Sequence, residues 1–366
     1  MTAPFLDLIA QYKSIKNEID AGIARVIAHA TFAGGPEVEA FEKEFAAYCG
    51  APHCVGLSSG TAALELLLRA YEVKAGDEVT MPANTFFATA EAVIFAGATP
   101  VFVDVFEETG LMDLALLAKA ITKKTRVIIP VHLFGQPADM DPILAIASAK
   151  KILVIEDSCQ AHGALYKGRR AGTLSDSAAF SFYPGKNLGA YGEAGAITTD
   201  DGAIADRVRL LREHGAKTKY KHLIVGRNER MDGMQGAVLR AKLPHLDDWN
   251  ARRRKHALRY RTLLKDLKNI TVMSEQPDCE SNYHLFVIRV KNRDTVRQKL
   301  TGLGIGTGIH YPIPLHLLPA CAPLGYHAGD FPVSEQLARE ILSLPMFPEM
   351  TEQQQDAVIA ALRSAL

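Results

Sequence analysis

The sequence predicts an α/β fold: a large domain on a mostly parallel sheet, followed by a smaller α+β domain. Three observations carry this. From Thr61 to Asp200, short apolar runs alternate with helical patterns, as in a parallel sheet covered on both faces. After Leu267 that alternation gives way to a mixed order of strands and helices. The 366 residues also exceed one small core and suit two domains, or one large α/β domain with an appendage.

Taken in order, Leu64, Leu67 and Leu68 set a helix over 61–71. Glu78 to Met81 is a short strand stopped by Pro82, and further strands cover 99–105, 126–131, 152–155, 178–182 and 195–199. Helices fall between them over 88–95, 114–121 and 142–150, and another covers 203–214. One long helix is expected over 235–264 as a bridge, its Arg252-Arg253-Arg254-Lys255 run forming a solvated face. The domains divide as 1–244 and 245–366. The second contains strands over 283–290 and 308–311 and helices over 293–303, 331–342 and 352–366.

Composition narrows the function. Lys+Arg 41 balance Asp+Glu 41, so no field of one sign recruits nucleic acid or an anionic membrane. An anionic ligand would need local donors. The five cysteines form no CxxC pair and no disulfide framework, which fits a reducing compartment and a cytoplasmic protein. The N-terminus lacks a secretion signal, and no apolar run reaches the roughly 18 residues of a membrane span. No His/Cys cluster suggests a metal, and no GxGxxG follows the first strand.

Four segments carry chemistry. Ser58-Ser59-Gly60-Thr61 stands before an amphipathic helix, whose free N–H groups make an anion site. Ser59 or Thr61 could equally serve as a plain cap. In Val154-Ile155-Glu156-Asp157-Ser158-Cys159-Gln160, a buried strand runs out into two carboxylates. An acid at a strand's carboxyl end faces the ligand crevice, where it can keep a pyridine nitrogen protonated; a turn or cap role is the alternative. Ser181-Phe182-Tyr183-Pro184-Gly185-Lys186 ends a strand in a turn with one lysine beyond it. Held there and partly desolvated, Lys186 would be a nucleophile for aldehydes, and Ser181 could donate to a phosphate. Gly226 to Gln235 is a polar loop with two arginines before a long helix.

The chain resembles the sugar aminotransferases of the DegT/StrS family, which have the aspartate aminotransferase fold (fold type I) and use pyridoxal 5′-phosphate. Besides the Glu156-Asp157 and Lys186 segments, the resemblance rests on Pro4-Phe5-Leu6-Asp7-Leu8, Pro82 to Thr89, Ala98 to Asp104 and Gly308 to His316. It implies that Lys186 carries the cofactor as a Schiff base and that Asp157 pairs with the pyridine nitrogen. Gln160 would bond the ring hydroxyl, and Phe86 would stack on the ring. Gly60, Thr61 and Ser181 would hold the phosphate. Asn228 would donate to the phosphate of a partner subunit, making a homodimer with shared sites. Gly185 departs from the Ser or Thr of many relatives, and Ala194 from their Gly; both changes imply altered loop flexibility with the chemistry kept.

The implied reaction moves an amino group from L-glutamate to a keto sugar linked to a nucleotide. Val131 to Pro137 and Gly308 to His316 most resemble the 3-keto branch, such as dTDP-3-amino-3,6-dideoxyhexose transaminases. His310, Tyr311 and His316 become candidates to contact the substrate. UDP-linked 3-keto uronic acids, 4-keto hexoses and a non-catalytic regulator that binds the cofactor are the alternatives.

Overall fold

The computed structural model describes residues 2–366. Seven strands form the main sheet: β1 (His53–Leu57), β2 (Glu78–Pro82), β3 (Thr99–Val103), β4 (Thr125–Ile128), β5 (Leu153–Asp157), β6 (Ser177–Ser181) and β7 (Gly195–Thr199). Their spatial order is β1-β7-β6-β5-β4-β2-β3. The pairings from β6 through β3 are parallel, while β7 runs antiparallel to both neighbours. Val127, Ile128, Val154, Ile155 and Ile197 are sealed from solvent, as expected of strands covered on both faces.

Helices Gly60–Ala70, Phe87–Phe95, Leu114–Ala120 and Met140–Lys150 make the crossovers between successive strands from β1 to β5. No helix intervenes between β6 and β7, and the loop joining them carries Lys186. The register aligns Leu57, Gly195 and Ser181 at one edge of the sheet.

A second sheet is antiparallel, in the order β8 (Ile270–Val272), β9 (Phe286–Val290) and β10 (Ile341–Leu344). Here the chain departs from the sequence reading. The helix expected over 331–342 stops at Glu340, and the apolar run Ile341-Leu342-Ser343-Leu344 becomes the buried strand β10. A run that short has no periodicity to separate strand from helix. Gly308 makes one bridge to Ser343, and no strand forms over 308–311. The expected long helix is two, Gly233–Lys242 and Leu246–Leu264, joined by a 3₁₀ turn containing Pro244. Proline lacks the N–H that a continuous helix would use there.

Arg253 is likewise not on a solvated face. It is 2% exposed, and its Nη1 donates to the carbonyls of Tyr283 (3.2 Å) and Met346 (2.9 Å).

The two sheets are tied together by chain that crosses between them. Ala3 lies in the core of the second sheet, donating to the Gly304 carbonyl (3.1 Å) and accepting from the Gly306 N–H (2.8 Å). Leu315, Cys321 and Phe331 pack back into the main-sheet core. Among the described residues no helix is long and apolar enough to cross a membrane, and no cluster of metal-ligating side chains occurs.

Candidate active site

The carboxyl edge of the main sheet opens on a cavity of about 790 Å³, the place where such sheets hold ligands. Gly60, Thr61, Phe86, Asp157, Gln160, Ser181, Lys186, His310 and Tyr311 all line it. They come from the ends of four different strands and from the crossing segment near 310.

One end suits an anion. Ser59 caps the Gly60–Ala70 helix, its Oγ accepting from the Ala62 N–H (3.1 Å). Any side chain on Gly60 would put Cβ 2.7 Å from Ser181 Cβ and 2.9 Å from Cys159 Sγ. Beneath them, a Cβ on Gly195 would stand 2.3 Å from the Ser59 backbone. Two glycines therefore let the helix N-terminus press against the ends of β6 and β7. The Ser181 Oγ accepts from the Tyr183 N–H (3.3 Å), which leaves its own proton free to donate.

Asp157, 5% exposed, occupies the middle. Its Oδ2 accepts from Thr89 Oγ1 (2.8 Å) and its Oδ1 from the Cys159 N–H (3.2 Å). Gln160 has a fixed orientation: its Oε1 accepts from the Phe134 N–H (2.7 Å), so its Nε2 donates to the Tyr311 hydroxyl (3.2 Å). Tyr311 consequently turns its own proton elsewhere, and burial raises its pKa further, making it a donor. Phe86 is 55% exposed, its ring 5.3 Å from that of Tyr311. That is the situation of a side chain at a cavity mouth, not of one packed in a core.

Lys186 follows the Pro184-Gly185 turn, its N–H bonded to the Tyr183 carbonyl (2.8 Å). Burial pushes its ammonium pKa down, while Cys159 and Asp157 pull the other way. His310 stacks on Phe5 at 5.8 Å, and its Nδ1 lies 2.9 Å from the Ser343 hydroxyl. Burial and the nearby Lys186 push its pKa down to about 4.

Two expected residues lie outside the cavity. His316 is 2% exposed, its Nε2 3.0 Å from Glu335 Oε1 and its ring 4.7 Å from Phe331. It does not line the cavity of its own chain. After Tyr311 the chain turns away, and Leu315 bonds the Ala83 carbonyl (2.8 Å). Asn228 is exposed on a loop bridged to Glu213, away from its own cavity.

Sequence reading also missed wall residues. Arg253, His284 and the N-terminal Phe5, Leu6 and Leu8 all line the cavity. The sequence marks Pro4 to Leu8 only as part of the resemblance and Arg253 only as part of a charged run.

These residues fit pyridoxal phosphate. A glycine-walled helix end and Ser181 suit its phosphate, a buried carboxylate suits its ring nitrogen, and a desolvated lysine suits its aldehyde.

The likeness to known proteins agrees. The chain is 51% identical over 364 residues to the erythromycin biosynthesis sensory transduction protein EryC1 of Saccharopolyspora erythraea, covering 100% of both chains. It is 47% identical to the dTDP-3-amino-3,4,6-trideoxy-alpha-D-glucose transaminase of Streptomyces venezuelae, over 98% of this chain and 95% of that one. Among solved structures it is similar to S. venezuelae DesV in complex with a ketimine intermediate, at 47% identity and a TM-score of 0.97, over 99% and 98% of the two chains. A putative sugar aminotransferase of Streptococcus pneumoniae in its PLP form matches at 28% identity and a TM-score of 0.90, over 96% and 97%. Residues 13–363 match the model of one family, and with it the chain belongs to the DegT/DnrJ/EryC1/StrS aminotransferases.

Proposed function

We propose that this aminotransferase uses pyridoxal phosphate to move an amino group from L-glutamate to the keto carbon of a nucleotide-linked sugar, a dTDP-3-keto-6-deoxyhexose, in amino-sugar biosynthesis. The observation that carries the reading is the meeting of Lys186 and Asp157 in one cavity that also has an anion-binding end. The transaminase relative at 47% identity supports the substrate class.

When bound, the cofactor supplies an electron sink that makes the donor's α-proton removable. The chain's residues do the rest. Ser181 and the N–H groups at Gly60 and Thr61 hold the phosphate. Asp157 keeps the ring nitrogen protonated, with Thr89 and the Cys159 N–H fixing its carboxylate. Lys186 would hold the cofactor's aldehyde carbon and, as a free amine, would take the proton from the donor's α-carbon. Its lowered pKa raises the fraction of free amine available as a base near neutral pH. Phe86, at the mouth, would stack on the ring. Tyr311 donates to the sugar or its diphosphate, with His310 beside it.

Asn228, exposed and outside its own cavity, reaches the phosphate held by a second copy of the chain, so the working unit is a homodimer. The five free cysteines suit the cytoplasm.

The test is direct. Purified protein with pyridoxal phosphate should show a visible band that L-glutamate bleaches. Adding dTDP- and UDP-linked 3-keto and 4-keto sugars should then give an amino sugar, identified by mass and, for the position, by NMR. Lys186→Ala should abolish both the glutamate response and turnover. Turnover with only a 4-keto or a UDP-uronic substrate would overturn the sugar assignment. A band indifferent to every amino donor would instead indicate a cofactor-binding regulator.

A further inference from the structure

A chain of buried asparagines settles which nitrogen of His284 carries a proton. Backbone carbonyls can only accept, so each amide that approaches one must present its NH₂ end. Asn250 Nδ2 donates to the His162 carbonyl (2.8 Å), which makes Asn250 Oδ1 an acceptor. Asn187 Nδ2 donates to that Oδ1 (2.8 Å) and to the Asn282 carbonyl (3.0 Å). Asn187 Oδ1 is therefore also an acceptor, and it lies 3.2 Å from His284 Nδ1. Asn282 is held in turn by the carbonyls of Gln160 and His162 (3.0 Å each), and its Oδ1 receives the His284 backbone N–H (2.9 Å). Asn187, Asn250 and Asn282 are at most 2% exposed, so no member can turn over without losing buried partners.

The network forces the proton of a neutral His284 onto Nδ1. The imidazole lines the cavity together with Lys186. Burial above all, and then the nearby Lys186, Arg253, His310 and His162, disfavour an imidazolium, so Nε2 keeps a bare lone pair. Arg253 only donates, Tyr311 already accepts from Gln160, and the spare lone pair of Asp157 belongs to the ring nitrogen when the cofactor is bound, so Nε2 is an acceptor left for an amine.

We propose that His284 is a positioning residue whose Nε2 accepts a hydrogen bond from the Nζ of free Lys186, holding that amine in line while it carries the substrate proton. The idea rests on the transaminase reading for its purpose but not for its geometry. No covalent step is added; the proton stays on Lys186.

Two substitutions separate this from a structural role. In His284→Asn, the new amide nitrogen takes the place of Nδ1 and keeps the bond to Asn187, but nothing replaces the lone pair in the cavity. In His284→Gln, an amide oxygen can occupy the Nε2 position while the Asn187 bond is lost. If His284 acts through Nε2, the Asn variant should lose about tenfold or more in kcat with an unchanged sugar KM, and the Gln variant should recover most of it. A merely structural histidine gives the reverse order.

A second readout needs neither cofactor nor substrate. In the full chain without added cofactor, labelled with ¹⁵N-histidine, the His284 signal, assigned by its loss in the Asn variant, should show Nδ1 protonated and Nε2 bare at neutral pH. The midpoint pH for acylation of Lys186, followed by mass spectrometry, should fall in His284→Asn and return in His284→Gln, because an acceptor favours the ammonium. An imidazolium, a proton on Nε2, or a Lys186 midpoint equal in all three proteins would overturn the proposal. Failure of every sugar to react, with these two measurements as expected, would instead count only against the substrate reading.

Discussion

The rear of the main sheet and the crevice at its edge each receive one carboxylate from the end of β5, and the two are treated differently. Glu156 points to the rear and is saturated. Its Oε1 accepts from the N–H groups of Leu174 (2.8 Å) and Ser175 (3.1 Å), and its Oε2 from the N–H of Gly172 (2.7 Å) and from His132 Nε2 (3.0 Å). His132 must be the donor, since its Nδ1 accepts from the Ala138 N–H (3.1 Å). Asp157 faces the crevice with only Thr89 and the Cys159 N–H on it. Alternation along a strand sends neighbours to opposite faces. A saturated carboxylate stabilises the fold; one with a spare lone pair beside a cavity can serve a ligand.

Substitutions that remove charge but keep shape should break the two apart. Asp157→Asn should cause the largest functional loss, about 10³-fold in kcat, because an amide cannot hold a ring nitrogen protonated. Its folding should barely change. The Asn oxygen can keep the Cys159 N–H, and the Thr89 hydroxyl can rotate to accept. Urea midpoints and steady-state kinetics on one preparation would show this. An equal fall in stability and rate would sink the distinction.

Glu156→Gln should do the opposite. Whichever end becomes NH₂ meets at least two donors already pointing at it, so a loss of about 3 kcal/mol in stability is expected. The folded fraction should keep near-normal kcat and a normal response to glutamate.

Lys186, partly buried at the cavity, contrasts with Lys242, which is sealed from solvent. Lys242 Nζ donates to the Gly189 carbonyl (2.7 Å) and sits 4.4 Å from the Tyr191 ring centroid. Burial lowers its pKa from 10.5 to about 7, against the pull of Glu349. Between those two pH values the unfolded chain binds a proton that the folded chain does not. Stability should therefore rise with pH from about 7 to 10.5 on account of this group, by a few kcal/mol. The urea midpoint of the wild type should rise relative to that of Lys242→Met from pH 6.5 to pH 9.5. A difference that stays constant would show that Lys242 remains charged in its carbonyl and aromatic surroundings.

What was legible in the sequence was local. Asp157 and Lys186 follow from strand ends and turns within a few residues, and the crossover helices follow from periodicity. His284 and Arg253 were not legible, because their place in the wall depends on two sheets meeting across more than a hundred residues of chain. The place of His316 could not be read from proximity. It stands near His310 and Tyr311 in sequence, yet the intervening chain carries it to Glu335 and Phe331. The rear-face role of Glu156 was not legible either, since its donors come from Gly172 to Ser175 and from His132.

The smallest effect belongs to the turn before the lysine. Gly185 has a φ outside the left-handed region. A Cβ there would meet the Tyr183 ring at 3.5 Å and Leu6 at 3.7 Å, both ordinary contacts. Neither strain nor collision therefore demands glycine, unlike Gly60, whose Cβ would strike Ser181. Gly185→Ser should fold with stability within about 0.5 kcal/mol of the parent, the range of an unconstrained surface change. Its kcat should stay within about twofold, because Lys186 keeps the Tyr183 carbonyl bond that sets the turn. A gain in stability would be the chain-entropy effect of replacing glycine. A tenfold fall in kcat would mean that freedom at this turn is needed for Lys186 to swing between attachment and proton transfer, and the comparison of the two lysines would then extend from charge to mobility.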